Sequence, residues 1–220
     1  ADPESMGDDK IIVSIPGNGE RLESVHTPDG YEWLLTEDGL FVHDGSNYLH
    51  FVNTSDPASI SSNVVNGMMV DLSGRIWVAT QRGVDRYDEE SGVFFHYVID
   101  DVNHYMRDVA MASDGSVYAI SRHYLFKLDE AEGVFRKFSP LKISRSNIQM
   151  DANVDGAVWV NYHNEVVRIP VDDRCEPCSI AAREEIDGFC ADRSGRLYLC
   201  DGGHLRIVSP DSPVEEEIPA

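Results

Sequence analysis

Apolar residues in this chain come in runs of three to five, too short and too regularly interrupted for helices. Ile76-Trp77-Val78-Ala79, Val117-Tyr118-Ala119-Ile120 and Leu197-Tyr198-Leu199-Cys200 are apolar at successive positions. That suits strands buried on both faces, because a one-sided sheet would alternate apolar with polar. Leu125-Phe126-Lys127-Leu128 and Val166-Val167-Arg168-Ile169 alternate more, as strands nearer a rim would. No segment sustains a 3.6-residue period between caps, so almost no helix is expected.

A turn dipeptide precedes each doubly apolar run: Asp29-Gly30, Ser73-Gly74, Asp114-Gly115, Asp155-Gly156 and Ser194-Gly195. Successive glycines are 44, 41, 41 and 39 residues apart, and three positions after each stands Trp33, Trp77, Tyr118, Trp159 or Tyr198. A period of this length marks a repeat protein. The second unit reads most plainly, as Met68-Met69-Val70, Ile76 to Thr80, Val84 to Tyr87 and Val93 to Tyr97, separated by short turns. The first of these turns is a Ser-Gly hairpin, in which glycine accepts positive φ.

Four strands per unit, each small sheet covered before and behind, predict an all-β fold. It would be a β-propeller of about five four-stranded blades, complete or as a section of a larger ring. The units span about 22–53, 66–99, 107–140, 148–181 and 188–218, within one domain at 6–220. Residues 1–5 precede Met6 without periodicity and read as an expression remnant. Ile11 to Ile15 is an additional N-terminal strand, expected either to complete unit five or to end a preceding blade. Glu215 to Ile218 competes for the first of these places.

With 220 residues, 42% of them apolar, and a mean hydropathy of −0.30, the chain can bury a full core. No apolar run approaches the roughly 20 residues that span a bilayer. Lys and Arg number 18 against 39 Asp and Glu, a net charge of −21. Such a field repels nucleic acid and anionic membrane surfaces, and neither is expected as a partner.

Asp71-Leu72-Ser73-Gly74-Arg75-Ile76-Trp77-Val78-Ala79-Thr80, followed by Gly83-Val84 and Arg86-Tyr87, resembles the two-component regulator propeller repeat. Trp33 with Asp38-Gly39-Leu40 is similar, and the resemblance runs from about Ile11 to Ile218. It departs from the pattern in units three to five, where the Thr-x-x-Gly-Leu element becomes Ser121 to Leu125, Asn161 to Glu165 and Asp201 to Leu205. The resemblance implies a periplasmic or extracellular sensor region of a bacterial hybrid histidine kinase, of the kind that senses oligosaccharides in gut Bacteroidetes. It also implies other domains of a larger sensor as partners. Rings of that family usually hold seven blades, so this chain reads as an excised or short version.

In propellers the loops from strand two to three, and from strand four to the next strand one, share one face that usually carries the ligand. Here those loops hold Arg82, His104, Tyr105, Arg107, Arg122, His123, Arg145, Tyr162, His163 and Asn164, with His204 just beyond. All of these except Arg145 are the ligand-binding candidates. Such cationic, imidazole and phenolic groups would admit an anionic or hydroxyl-rich small molecule, an oligosaccharide above all, to an otherwise acidic protein. The opposite face collects acid, as in Asp88-Glu89-Glu90, Asp129-Glu130 and Asp172-Asp173, the ordinary composition of solvated turns.

His123, His163 and His204 recur in consecutive units, but at offsets of 8, 7 and 9 from the turn glycines. Converging imidazoles bind divalent metals, yet this uneven register favours ligand hydrogen bonding or plain packing, so no metal and no cofactor is expected. Cys190 and Cys200 flank Gly195 symmetrically and are expected to face each other across the hairpin. Cys175 and Cys178 sit in a loop, as free thiols, a local disulfide or zinc ligands. The chain lacks G-x-S-x-G, P-loop, H-E-x-x-H and EF-hand motifs. A non-catalytic sensor is therefore the leading reading. A propeller lyase or glycan-active enzyme, resembling streptogramin lyase and using His163 or His204 with Asp201, is the second. A protein-binding scaffold is the third.

Overall fold

The computed structural model describes residues 10–13, 21–112, 114–140, 150–153, 157–162, 165–170, 178–181, 186–191, 196–209 and 215–218, and every regular element among them is a strand. The first sheet holds β1 (Lys10–Val13), β2 (Arg21–His26), β3 (Glu32–Thr36), β4 (Gly39–His43) and β5 (Tyr48–Phe51), in the order β1-β5-β4-β3-β2. A second meander comprises β6 (Val65–Val70), β7 (Ile76–Thr80), β8 (Gly83–Asp88) and β9 (Val93–Ile99). A third comprises β10 (Asp108–Met111), β11 (Val117–Ile120), β12 (Tyr124–Asp129) and β13 (Val134–Pro140). Two further sheets are β14 (Met150–Asn153), β15 (Ala157–Tyr162), β16 (Glu165–Pro170) and β17 (Cys178–Ala181), then β18 (Ile186–Ala191), β19 (Leu197–Asp201), β20 (His204–Val208) and β21 (Glu215–Ile218).

The strands thus form sheets of five, eight, four and four rather than five equal blades. Two features cause the difference. The second and third meanders join through a short parallel pairing, Val98 with Val134 and Ile99 with Phe135, where the buried Ile99 and Phe135 hold the seam. The N-terminal strand joins neither the last unit nor a preceding one: β1 runs antiparallel along β5, pairing Lys10 with Phe51 and Val13 with Tyr48. It covers an edge that would otherwise expose unpaired backbone, while β21 takes the fourth place beside β20.

The second strands of units two, three and four send alternate side chains into two different cores. Ile76 and Val78 pack with Trp33, Leu40 and Phe51 of the first sheet, whereas Trp77 and Ala79 pack with Val117, Phe126 and Phe135 of the third meander. Ile120 and Tyr118 then meet Val158 and Val160, and Trp159 meets Leu197 and Leu199. Trp33, Trp77, Tyr118 and Trp159 are all buried, which makes them core residues rather than a sugar-stacking platform; Tyr198 is half-buried under the Arg196 guanidinium. The first strands β2, β6, β10, β14 and β18 are neighbours in chain order, as the innermost strands of a radial stack would be. Gly67 suits this closeness, since a Cβ there would lie 3.2 Å from the Asp108 Cα.

Asp71 organises the second hairpin. Its carboxylate accepts hydrogen bonds from the Trp77 indole at 2.9 Å, the Arg75 Nε at 2.6 Å and the Ser73 N–H at 2.8 Å. Burial raises its pKa, and the Trp77, Arg75 and Ser73 hydrogen bonds outweigh that effect, so it titrates below the usual 3.8. The equivalent positions are Thr27 and Ala112 in units one and three, and the buried Trp33 indole N–H has no hydrogen-bond partner among the described residues.

Cys190 and Cys200 do not face each other. Cys190 pairs with Tyr198 and Cys200 with Gly188, the register that the pairing of Ala191 with Leu197 sets. Both are exposed.

Replacing Asp71 by Ala leaves the Trp77 N–H unpaired and lowers unfolding stability by roughly 1–3 kcal/mol in urea titrations. Because the folded pKa is depressed, this contribution is complete above about pH 3.8 and disappears as pH falls through the lower folded value.

Candidate functional site

The turn from the second to the third strand is built alike in the first three units. A hydroxyl at its start accepts the N–H of the residue two places on: Thr36 from Asp38 at 3.1 Å, Thr80 from Arg82 at 3.0 Å and Ser121 from His123 at 3.3 Å. This local bond fixes the turn, so only the side chains displayed differ from unit to unit. On the first strands, register shifts leave Leu22, Asn66 and Asp187 as extra residues, each eight positions before its turn glycine. Arg107 occupies that place in unit three, its N–H bonded to the Ile120 carbonyl at 2.7 Å. Bulges re-aim side chains at sheet ends.

The loop from β9 to β10 is pinned at both ends. Asp101 meets Lys137 at 2.7 Å, and Met106, fully buried, donates its N–H to the Thr80 carbonyl at 3.0 Å. The bonds from Lys137 and then from the Asn103 N–H hold the Asp101 carboxyl below its ordinary pKa. Between these anchors, Asn103, Tyr105 and Arg107 meet Arg122 and His123 around a cavity of about 260 Å³. The Arg107 guanidinium lies 4.4 Å from the Tyr105 ring centre, and its buried Nε has no hydrogen-bond partner. Asn66 reaches in from the adjacent bulge, donating to the Met106 carbonyl at 2.7 Å and accepting from the Tyr105 hydroxyl at 3.3 Å.

A second cavity of about 330 Å³ is lined by Asn53, Ser62, Asn63, Val64, Gln81 and Arg82. Its loop is tied down by Asp85, which accepts the Ser61 N–H at 2.7 Å and faces His96 Nδ1 at 2.7 Å. The other His96 nitrogen faces the Pro57 carbonyl at 2.8 Å. Both partners only accept, so this geometry requires both ring nitrogens to donate, as in the imidazolium. The Asp85 hydrogen bond raises the His96 pKa above its ordinary 6.5 against the opposing effect of burial.

Of the ten candidates, Tyr105, Arg107, Arg122 and His123 come together, and Arg82 lines the neighbouring cavity. His104 is exposed in the same loop and lines neither. His204 is exposed at the start of β20, opposite Asp201, whose buried carboxylate is paired with Arg206 at 2.9 Å. Tyr162 ends β15 without a described side chain, and His163 and Asn164 lie outside the described residues. Asn53, Asn63, Asn66 and Asn103 escaped the sequence reading, which followed charge and aromaticity; the signal for Asn66 was its bulge offset. Among the described residues no group of three or more His, Cys, Asp or Glu could hold a metal ion. No described helix is long and apolar enough to cross a membrane.

No protein-family profile and no curated protein matches the sequence. Solved structures do. The extracellular domains of two hybrid two-component systems from B. thetaiotaomicron are 18% and 17% identical, with TM-scores of 0.74 and 0.72, each over 93% of this chain and 31% of theirs. Virginiamycin B lyase from Staphylococcus aureus is 13% identical, with a TM-score of 0.71 over 96% of this chain and 73% of its own.

The His96 clamp is pH-dependent. With a raised folded pKa its contribution is complete below pH 6.5 and disappears as pH climbs through the raised value. The stability advantage of the native protein over His96→Gln, measured by denaturant titration from pH 5 to 9, shrinks accordingly. The chain thus has the fold of these two-component extracellular domains, and it spans about a third of their length.

Proposed function

We propose that this chain is a non-catalytic, ligand-sensing portion of a larger extracytoplasmic sensor, with an oligosaccharide or similar small molecule as ligand. The carrying observation is the cavity at Tyr105, Arg107, Arg122 and His123, where a ring, two guanidinium groups and an imidazole converge with no carboxylate in the lining. Its volume approaches that of small-ligand sites. The fold match to extracellular two-component domains supports the sensing role and the location outside the cytoplasm, and its partial coverage suits a section of a longer protein. On this reading the sheets stand as about five blades along an arc, and the remaining domains of the sensor are the partners that read out binding.

The lyase neighbour makes catalysis the second reading. Against it, the Asp201 carboxylate suggested as an acid is engaged by Arg206, and His123 has no carboxylate beside it in the cavity.

Calorimetry of a mixed glycan panel tests the proposal. At least one glycan binds, and Arg107→Ala with Arg122→Ala weakens it by at least about tenfold, as loss of charge-assisted hydrogen bonds requires. Absence of binding across the panel overturns the sensing role. Chemical turnover of a panel member or of a streptogramin, abolished by His123→Ala, establishes the enzyme instead.

A further inference from the structure

The two cavities on the loop face are the same place in successive repeats. Val64 and Tyr105 each stand ten residues before their turn glycine, and Gln81 and Arg122 seven after it. Arg82 and His123 each stand eight after. Ser62 and Asn103, twelve before, complete the match. Two sheets packed face to face lie about 10 Å apart, so the cavities repeat at a spacing longer than one sugar ring.

Their chemistry is also shared. None of the eleven lining residues is acidic, in a chain with 39 acids among 220 residues. Arg75, Arg136, Lys137 and Arg206 are each paired with a carboxylate. Arg82, Arg107 and Arg122 make no ion pair among the described residues. The row ends on the side of unit one, where the two turn positions are the exposed acids Glu37 and Asp38.

From this we infer that the cavities of units two and three are consecutive subsites for one acidic oligosaccharide, whose anionic groups, carboxylate or sulfate, recur along the chain and meet Arg82 in one subsite and Arg107 with Arg122 in the next. The inference rests on the sensing role proposed above and adds ligand charge and length to it. Guanidinium groups recognise both anions through paired hydrogen bonds. Net charge repels such a ligand elsewhere on the surface, which leaves this row as its landing place.

The test is calorimetry with galacturonic acid, oligogalacturonates of increasing length, sulfated heparin oligosaccharides of matched length and neutral galactan oligosaccharides. Acidic oligomers long enough to span both subsites bind at least about 100-fold more tightly than the monomer, as linked sites require. Arg82→Ala and Arg122→Ala each abolish that length advantage, and raising salt weakens binding. Preference between the galacturonate and heparin series identifies the anion. Comparing the slopes of affinity against salt for native and variant protein gives a second readout that does not depend on full folding of either variant.

Neutral oligomers binding as tightly as acidic ones overturn the inference while leaving the sensing role intact. Affinity independent of length, or single substitutions that weaken the monomer and the oligomer equally, also overturns it. No binding by any member of the set overturns this inference, while the sensing role is overturned only if the mixed glycan panel also fails to bind.

Discussion

The second strands of units two and three have no solvent side. Val78 and Ala79 are adjacent in β7, yet one belongs to the core shared with the first sheet and the other to the core shared with the third meander. The same holds for Ile120 and Ala119 in β11. A sheet covered twice cannot shift its register by one residue without trading one core for the other. Its strand ends, and the turns that leave them, are therefore fixed in space relative to both neighbours. The loop face inherits its order from this constraint: Met106 anchors one loop in the core between the second and third meanders, and Ile60 anchors another in the core between the first two sheets.

On that frame, the repeat separates what is structural from what is free to vary. Thr36, Thr80 and Ser121 supply the hydroxyl that closes the strand-two turn, and they are nearly interchangeable. The residues displayed by the same turn run from Asp38 to Arg82 to His123. Structural duties vary as well where the core tolerates it. The carboxylate that satisfies Trp77 through Asp71 has no counterpart for Trp33, whose N–H remains unpaired.

Much of this was legible in the sequence because the turn glycines and the aromatic residues three places later repeat at near-constant spacing, and burial on both faces leaves an uninterrupted apolar run. The grouping of cationic and aromatic loop residues followed from which loops share a face, and four of its members, Tyr105, Arg107, Arg122 and His123, line one cavity. Edge pairing was not legible. Nothing local in Ile11-Ile12-Val13 distinguishes β5 as its partner from any other open edge, and the seam between β9 and β13 depends on two residue pairs. Cys190 and Cys200 do not oppose each other because the register of β18 and β19 sets Cys190 against Tyr198, which equal spacing from the repeat glycine does not reveal. Asn66 was missed because a bulge is a property of pairing, which composition does not reveal.

Double coverage of the second strands holds the sheets as one body and so fixes the loop face. Native-state amide hydrogen exchange under increasing denaturant tests it most directly. Amides of Trp77 to Ala79 and Tyr118 to Ile120 are expected to be the slowest in the protein and to merge into a single global opening. Exchange of β7 and β11 through separate local openings, faster than the outer strands β9 and β13, would contradict it.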